Sequence, residues 1–488
     1  MGAAEEGSDK RVKNEEYTNP FDDPVGNDST DSLESSWFTP KRLLVLFCVI
    51  NLVTYLDRGV IASTGVNGVP ETCNSNGECT HGTGIQGEFK LNNFKDGILS
   101  SAFMVGLLLA SPIFASMAKS FNPFRLIAVG LSVWTLSAIG CGISIGFWTI
   151  TVCRMLVGVG EASFISLAAP FIDENAPVTQ RSAWLGIFYM CIPTGVALGY
   201  VYGGLVGGAY GWRYAFFGEA ILMLPFVIMG FFMSPLQLKG ISHDKDATSN
   251  KSLGSSHFSR FCEDVKSLLN EKIYVVNVLG YISYNFVIGA YSYWGPKAGY
   301  SIYHMTDADL LFGGITIVGG IVGTLTGGFV LDYMNSTIPN AFKLLSVATF
   351  FGAVFCFAAF CFKDMYMFIV FFLIGEILVF ATQGPVNFVS IHSVDPSLKP
   401  LAMAMSTVSI HVFGDVPSSP LVGVMQDKLK NWRKSTLILT SVLFLAAGIW
   451  SIGIFLPSVD RYNDDNENPT APSNENKAAK RTAVSPEP

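Results

Sequence analysis

The 488 residues are half hydrophobic and only 14% charged, with a mean hydropathy of +0.41, against roughly 25% charged residues in soluble domains. That balance excludes a water-soluble globular protein. The formal net charge of −7 resides largely in polar tails, so it names no partner, and nothing in the chain suggests nucleic acid.

Residues 1–41 are rich in Glu, Asp, Ser and Asn with little to bury, and are expected to form a disordered cytosolic tail. The start does not read as a cleavable signal peptide. Nor is it a good myristoylation site, because Glu6 stands where Ser or Thr is wanted after Gly2. Apolar runs of about 20 residues read as membrane spans. Twelve are expected, near 43–66, 95–118, 124–145, 148–171, 182–206, 213–234, 273–294, 309–333, 342–361, 365–387, 400–425 and 435–457. The fold class is therefore an all-α membrane protein. Its twelve transmembrane helices form two six-helix bundles, 42–234 and 273–457, joined by a cytosolic linker 235–272 and followed by a disordered cytosolic tail 458–488. Two such bundles can rock around a central site. Lys41 and Arg42 beside the first span favour cytosolic termini, although Lys428, Lys430, Arg433 and Lys434 fall on the opposite side.

In the first span, Asn51-Leu52-Val53-Thr54-Tyr55-Leu56-Asp57-Arg58 sets an acid beside a base. In the fourth, Arg154-Met155-Leu156-Val157-Gly158-Val159-Gly160-Glu161 carries two more charges. A charge at the centre of a span costs about 2.5–3.5 kcal/mol on insertion scales unless it faces a partner or a watery cavity. At about 100° per residue, Arg154 and Glu161 return to nearly one helical face, two turns apart. Gly158 and Gly160 between them let a neighbouring helix approach. The two spans run in opposite directions, so at ~1.5 Å per residue the depths of Asp57, Arg58 and Arg154 agree within roughly a turn. Two arginines and two carboxylates nearly balance, and moving one proton changes that balance, as coupling to a proton gradient requires. A static ion network fixing helix packing is the other reading of these residues.

Between the first two spans, Cys73 and Cys79 flank a turn-forming Asn76-Gly77. They are either a disulfide, if that loop faces an oxidising compartment, or two free thiols. The remaining cysteines, mostly in spans, read as small apolar residues. In the linker, Asp264-Val265-Lys266-Ser267-Leu268-Leu269 is either an acidic dileucine sorting signal or the apolar face of a short helix packed under the bundles. The seventh span holds Tyr281, Tyr284, Phe286 and Tyr291, a candidate aromatic wall for an acyl chain. Tyr293 and Trp294 read there as interfacial belt residues. Asp332, four after Gly328 at the cytosolic end of the eighth span, reads as a gate contact or a helix cap. Glu376 stands alone in the tenth span. In the eleventh, His411 and Asp415 share a helical face just before Pro417 and Pro420. They form either a proton-sensing pair on a bending helix or a hydrogen-bonded pair at a kink.

The twelve-span layout, Arg154-x-x-x-Gly158-x-Gly160-Glu161, Gly211-Trp212-Arg213 and Gly328-x-x-x-Asp332 resemble the major facilitator superfamily. Asp57-Arg58, Pro170-x-x-Asp173 with Arg181, and His411-x-x-Gly414-Asp415 with Pro420 narrow the resemblance to the spinster family, closest to plant members described as sphingolipid transporters. The resemblance covers about 42–457. It implies alternating-access movement of sphingolipids or lysophospholipids, in some members proton-driven, by a monomer in late endosomal, lysosomal (vacuolar) or plasma membranes. It would place Asp57 and Glu161 at proton-coupling positions, with Arg58 and Arg154 as charge partners or headgroup contacts. One departure is plain. The loop Ala115-Ser116-Met117-Ala118-Lys119-Ser120-Phe121-Asn122-Pro123-Phe124-Arg125 lacks the glycine and acid that superfamily members carry after the second span. The first half's cytosolic gate is therefore expected to latch differently.

Three functional classes remain open on the sequence. A proton-coupled lipid transporter leads, with a facilitator for a small organic anion as its runner-up, because paired arginines also suit carboxylates. A receptor that binds without moving its ligand is a second class. An enzyme is the third and is not expected, since there is no nucleotide loop, metal-spaced His/Cys set or hydrolase serine motif. No cofactor or metal is expected.

Overall fold

The computed structural model describes residues 40–73, 79–117, 121–177, 181–232, 254–305, 307–395 and 398–456, with only the backbone described at 72–73, 79–80, 169–170, 173–175, 181–183, 254–261 and 400. The expected tails, the first half of the linker and the side chains of Pro170, Asp173, Arg181, Cys73 and Cys79 therefore lie outside the described set. The chain divides into two units, Met1–Leu43 and Leu44–Pro488. Of the first, only the opening turn of a helix is described. Both six-helix groups fall within the second.

The first group comprises α1 (Pro40–Ala62), α4 (Asn93–Met117), α5 (Pro123–Gly142), α6 (Phe147–Asn175), α7 (Arg181–Tyr210) and α8 (Trp212–Phe232). Between α1 and α4 run the short helices α2 (Thr64–Asn67) and α3 (Gly84–Glu88), with a two-residue antiparallel ladder, β1 (Thr72–Cys73) and β2 (Cys79–Thr80), that sets Cys73 opposite Cys79. The linker ends in α9 (Gly254–Asn270). The second group is α10 (Lys272–Tyr303), α11 (Ala308–Tyr333), α12 (Ile338–Cys361), α13 (Met365–Phe380) continued by α14 (Gln383–His392), α15 (Lys399–Ser409) with α16 (Val416–Leu429), and α17 (Trp432–Phe455). Several entries are set locally. Asn122, Thr337, Asp364 and Asn431 each cap the helix that follows by accepting a backbone N–H.

Among the described residues, 11 helices are long and apolar enough to cross a membrane. The expected eleventh span is the exception, because a π-helical turn, Ile410–Asp415, divides it into α15 and α16. Large apolar side chains such as Leu136, Ile145, Trp148, Phe232, Phe329 and Phe455 stand exposed on the outer surface, as lipid-facing positions do. The seventh span runs well past its expected end. That end is expected near 294, yet Pro296 lies inside α10, which continues to Tyr303.

The linker motif resolves toward packing. Leu268 is 2% exposed, in a cluster with Tyr274, Val278, Val394 and Ala402, while Leu269 is 64% exposed. A dileucine signal needs both leucines accessible, so α9 presents a packing face instead.

Candidate functional site

The glycines of α6 bring it against two neighbours at once. A Cβ on Gly158 would sit 2.0 Å from the Phe103 carbonyl of α4, and one on Gly160 2.5 Å from the Trp134 nitrogen of α5. That approach holds Arg154 and Glu161 rigidly toward α1. There the charges pair crosswise. Arg154 Nη1 donates to Asp57 Oδ1 at 2.6 Å and Oδ2 at 2.8 Å, while Arg58 Nη2 donates to Glu161 Oε1 at 2.7 Å. The neighbouring positions Asp57 and Arg58 thus engage two positions of α6 that lie two turns apart.

The two pairs differ in their surroundings. Arg154 and Asp57 are 1% and 0% exposed, a sealed pair whose desolvation is offset only by its close geometry. Arg58 keeps 19% exposure over a fully buried Glu161. Its guanidinium lies 4.3 Å from the Tyr55 ring centroid and 4.8 Å from that of Phe103, two aromatic neighbours suited to a cation. Among the described residues, Arg58 Nε and Glu161 Oε2 have no hydrogen-bond partner. Of the two arginines, Arg58 is the one an arriving anionic group can reach.

The second half contributes His411 and Asp415, whose Nδ1 and Oδ2 lie 2.6 Å apart on the π turn. Asp415 also contributes to the electrostatic field at Arg58. Proline chemistry shapes this span. Pro420 has no N–H to give the Val416 carbonyl one turn back, and Ser101 of α4 supplies that bond at 2.5 Å. π turns concentrate at functional positions, and this one holds His411, Gly414 and Asp415 together.

Other expected residues fall in varied settings. Glu376 is buried on α13, its electrostatic field reaching Tyr200, Tyr284 and Tyr291. Tyr284 and Tyr291 are buried within the second half, where Tyr284 donates to the Val379 carbonyl at 3.3 Å and Tyr291 hydrogen-bonds Thr440. Only Tyr281 and Phe286 of the aromatic set keep partial exposure. Asp332 is exposed and accepts from Ser336 at 3.0 Å, a local helix-end contact. Tyr293 and Trp294 are not belt residues. They are 3% and 1% exposed and donate to Asp96 and to the Ser419 carbonyl, because α10 extends beyond them.

Those bonds belong to a network on the side away from the linker (the distal side), which the sequence reading missed. Lys297 of α10 and Asp96 of α4 pair at 3.3 Å, 3% and 1% exposed. Tyr293 donates to Asp96 at 2.8 Å, and Lys297 donates to Asn67 at 3.0 Å and to Gln86. Asp309 of α11 accepts from the Thr64 amide at 2.9 Å and hydroxyl at 2.6 Å. Asp427 of α16 accepts from the Asn93 amide at 3.0 Å and the Phe94 amide at 3.1 Å. Each of these contacts joins the first half to the second. Just outside the spans, Glu88 accepts from Trp212 at 2.7 Å and from Arg213 at 2.6 Å, which accounts for the Trp-Arg pair opening α8. Burial is the largest influence on the Glu88 carboxyl and acts to raise its pKa, but these hydrogen bonds prevail and hold it below the ordinary carboxylate range.

Residues 47–414 match the family model of the Major Facilitator Superfamily. The chain is 64% identical to Probable sphingolipid transporter spinster homolog 2 of Arabidopsis thaliana, over 98% of both chains. It is 58% identical to that organism's Probable sphingolipid transporter spinster homolog 1, over 91% of this chain and 95% of the relative. Among solved structures it resembles a bacterial homolog to the human lysosomal transporter Spinster, in an inward-facing and unoccupied conformation. The TM-score is 0.70 at 16% identity, covering 86% of this chain and 98% of that one.

Proposed function

We propose that this chain, a membrane transporter belonging to the spinster family of the Major Facilitator Superfamily, carries a sphingolipid or lysophospholipid by alternating access and couples it to protons. The observation that supports this reading most is the crossed pairing of Asp57 with Arg154 and Arg58 with Glu161. Protonating Glu161 cancels the charge that holds Arg58 and frees the guanidinium for an anionic headgroup. Deprotonating it draws Arg58 back and weakens headgroup binding. Tyr281 and Phe286, partly exposed on α10, are the aromatic surface proposed for the acyl chain.

Access alternates as the halves 42–234 and 273–457 rock against each other. The network of Asp96, Lys297, Asp309 and Asp427 closes the distal side, opposite the linker, which faces the cytosol in this reading. His411 with Asp415 and, more remotely, Glu376 supply titratable groups in the second half. Asp332 takes part in the cytosolic gate when the distal side opens. The membrane is placed at the late endosome, lysosome or vacuole, with the plasma membrane as the alternative. The names of the relatives support the substrate class, and the structural likeness supports the fold.

A second reading, a facilitator for a small organic anion, draws on the free Arg58 Nε, which suits a carboxylate as well as a phosphate. Uptake of labelled sphingoid base and lysophospholipid into proteoliposomes, competed by unlabelled lipids or small carboxylates, separates the two. Lipid flux unaffected by excess carboxylate supports the lipid carrier. Absence of lipid flux alongside carboxylate flux replaces it with the anion facilitator.

A further inference from the structure

Glu219, on α8, is a third carboxyl in the cluster and is the one without a donor. It is 0% exposed, and neither carboxylate oxygen has a hydrogen-bond partner among the described residues. An ionised carboxylate in that setting would lose its hydration with no hydrogen bond in return. A second carboxylate stands beside it: Glu219 lies within hydrogen-bonding reach of Asp57. Two carboxylates bond directly only when one of them carries a proton. Charge points the same way. With Asp57, Glu161 and Glu219 all ionised against Arg58 and Arg154, the buried set would hold a net negative charge, and one proton restores balance. The titratable and charged groups around Glu219 are Asp57 from α1, Arg154 from α6 and Tyr202 from α7, with Cys141 of α5 beside the same pair. Asp57, with both oxygens already held by Arg154, is the better charge to keep, which leaves the proton on Glu219.

We propose that Glu219 holds a proton that it shares with Asp57, so that the titrating unit on this side of the site is the Asp57–Glu219 pair rather than Asp57 alone. In the transfer, the O–H bond on Glu219 breaks as an O–H bond forms on Asp57. The proton moves between two oxygens, net charge is unchanged, and no other reactant is needed. The consequence is mechanical. Arg154 bonds Asp57 through Nη1, while its Nε has no partner among the described residues. With the proton on Glu219, Arg154 ties α6 to α1. With the proton on Asp57, Glu219 becomes the anion and Arg154 turns to α8, releasing α1. The position of one proton thus selects which helix α6 grips, and α1 carries Arg58 toward the substrate.

This inference deepens the proton-coupled reading and rests on it, but its test does not depend on transport. The full chain, reconstituted in lipid at neutral pH, is examined by infrared spectroscopy for the carbonyl stretch of protonated carboxylic acids. The expected result is a band in the wild type that is lost in Glu219→Gln and lost also in Asp57→Asn, where Glu219 ionised against Arg154 already balances the charge. A band that persists unchanged in either variant overturns the proposal. If Glu219→Gln fails to fold, Glu219→Asp, which keeps a carboxylic acid in a new position, should shift the band, and an unshifted band there overturns the proposal. The expected band pattern together with gradient-independent flux leaves the shared proton standing and removes the coupling reading. Gradient-driven flux without a Glu219 band does the reverse.

Discussion

Asp96→Asn should open the distal side. Lys297 is 3% exposed and its partner carboxylate 1%. The substitution leaves a buried ammonium with Asn67 and Gln86 as neutral acceptors. Removing one member of a buried ion pair costs about 3–5 kcal/mol, and that cost falls on the distal-closed state, since Lys297 regains water when the halves part there. At about 1.4 kcal/mol per factor of ten, the closed-to-open ratio should fall by roughly a hundredfold to a few thousandfold. The assay is the rate at which a membrane-impermeant thiol reagent, applied from the distal face, modifies Ser419→Cys, with the same variants lacking that cysteine as the blank. Ser419 is 1% exposed, and its carbonyl accepts from Trp294, so it reacts only when this side opens. The double variant Asp96→Asn with Lys297→Met, which removes both charges, should return most of the way to the wild-type rate. An unchanged rate in Asp96→Asn, or a double variant as reactive as the single one, would refute the assignment of this pair as a latch.

Gly158→Ala should destabilise the protein by about 1–3 kcal/mol, the usual cost of overpacking, because its Cβ would fall 2.0 Å from a backbone oxygen of α4. Gly186→Ala, with nothing within 4 Å among the described residues, is the control in the same thermal melt and should melt no lower than wild type. For Glu88, the depressed carboxyl pKa gives stabilisation that is present above its unfolded value, ~4.3, and lost as pH falls through the lower folded value. Wild type should therefore melt above Glu88→Gln at neutral pH, with the gap closing only below the ordinary carboxylate range. An equal gap at all pH values contradicts the assignment. The register of Cys73 opposite Cys79 leads us to expect a disulfide there. Alkylation of the denatured, unreduced protein should spare that pair and modify the 7 other cysteines, and labelling of all 9 contradicts it.

The central charges were legible because Asp57, Arg58, Arg154 and Glu161 interrupt apolar runs, where an ionised group demands a partner. Spacing and depth put the four in one cluster, whereas which acid pairs with which base came only with the structure. The distal latch was not legible in the same way. Asp96, Asp309 and Asp427 lie near span ends, where acids are cheap and cap helices, so nothing local marks them as contacts between halves. Lys297 lies past the seventh span's expected end near 294, beyond which Pro296 is carried within α10. Glu219 was a plain omission, since it stands in an apolar run as Glu161 does. The π turn at His411 had only a partial signal. Pro417 and Pro420 announced a weakened helix, but the extra residue in the turn depends on packing against α4 and α10. Of the aromatic set, period alone could not tell which rings pack inward, and Tyr284 and Tyr291 do.

The central claim is that the crossed carboxylates couple lipid movement to protons. The most direct measurement is labelled lysophospholipid and sphingoid-base flux in proteoliposomes with and without an imposed proton gradient, comparing wild type with Asp57→Asn and Glu161→Gln. The account predicts gradient-driven flux in the wild type that both variants lose, with gradient-free exchange retained in Glu161→Gln because Arg58 is released. Gradient-driven flux that survives both substitutions would contradict it and leave the crossed pairs as structural ties between α1 and α6.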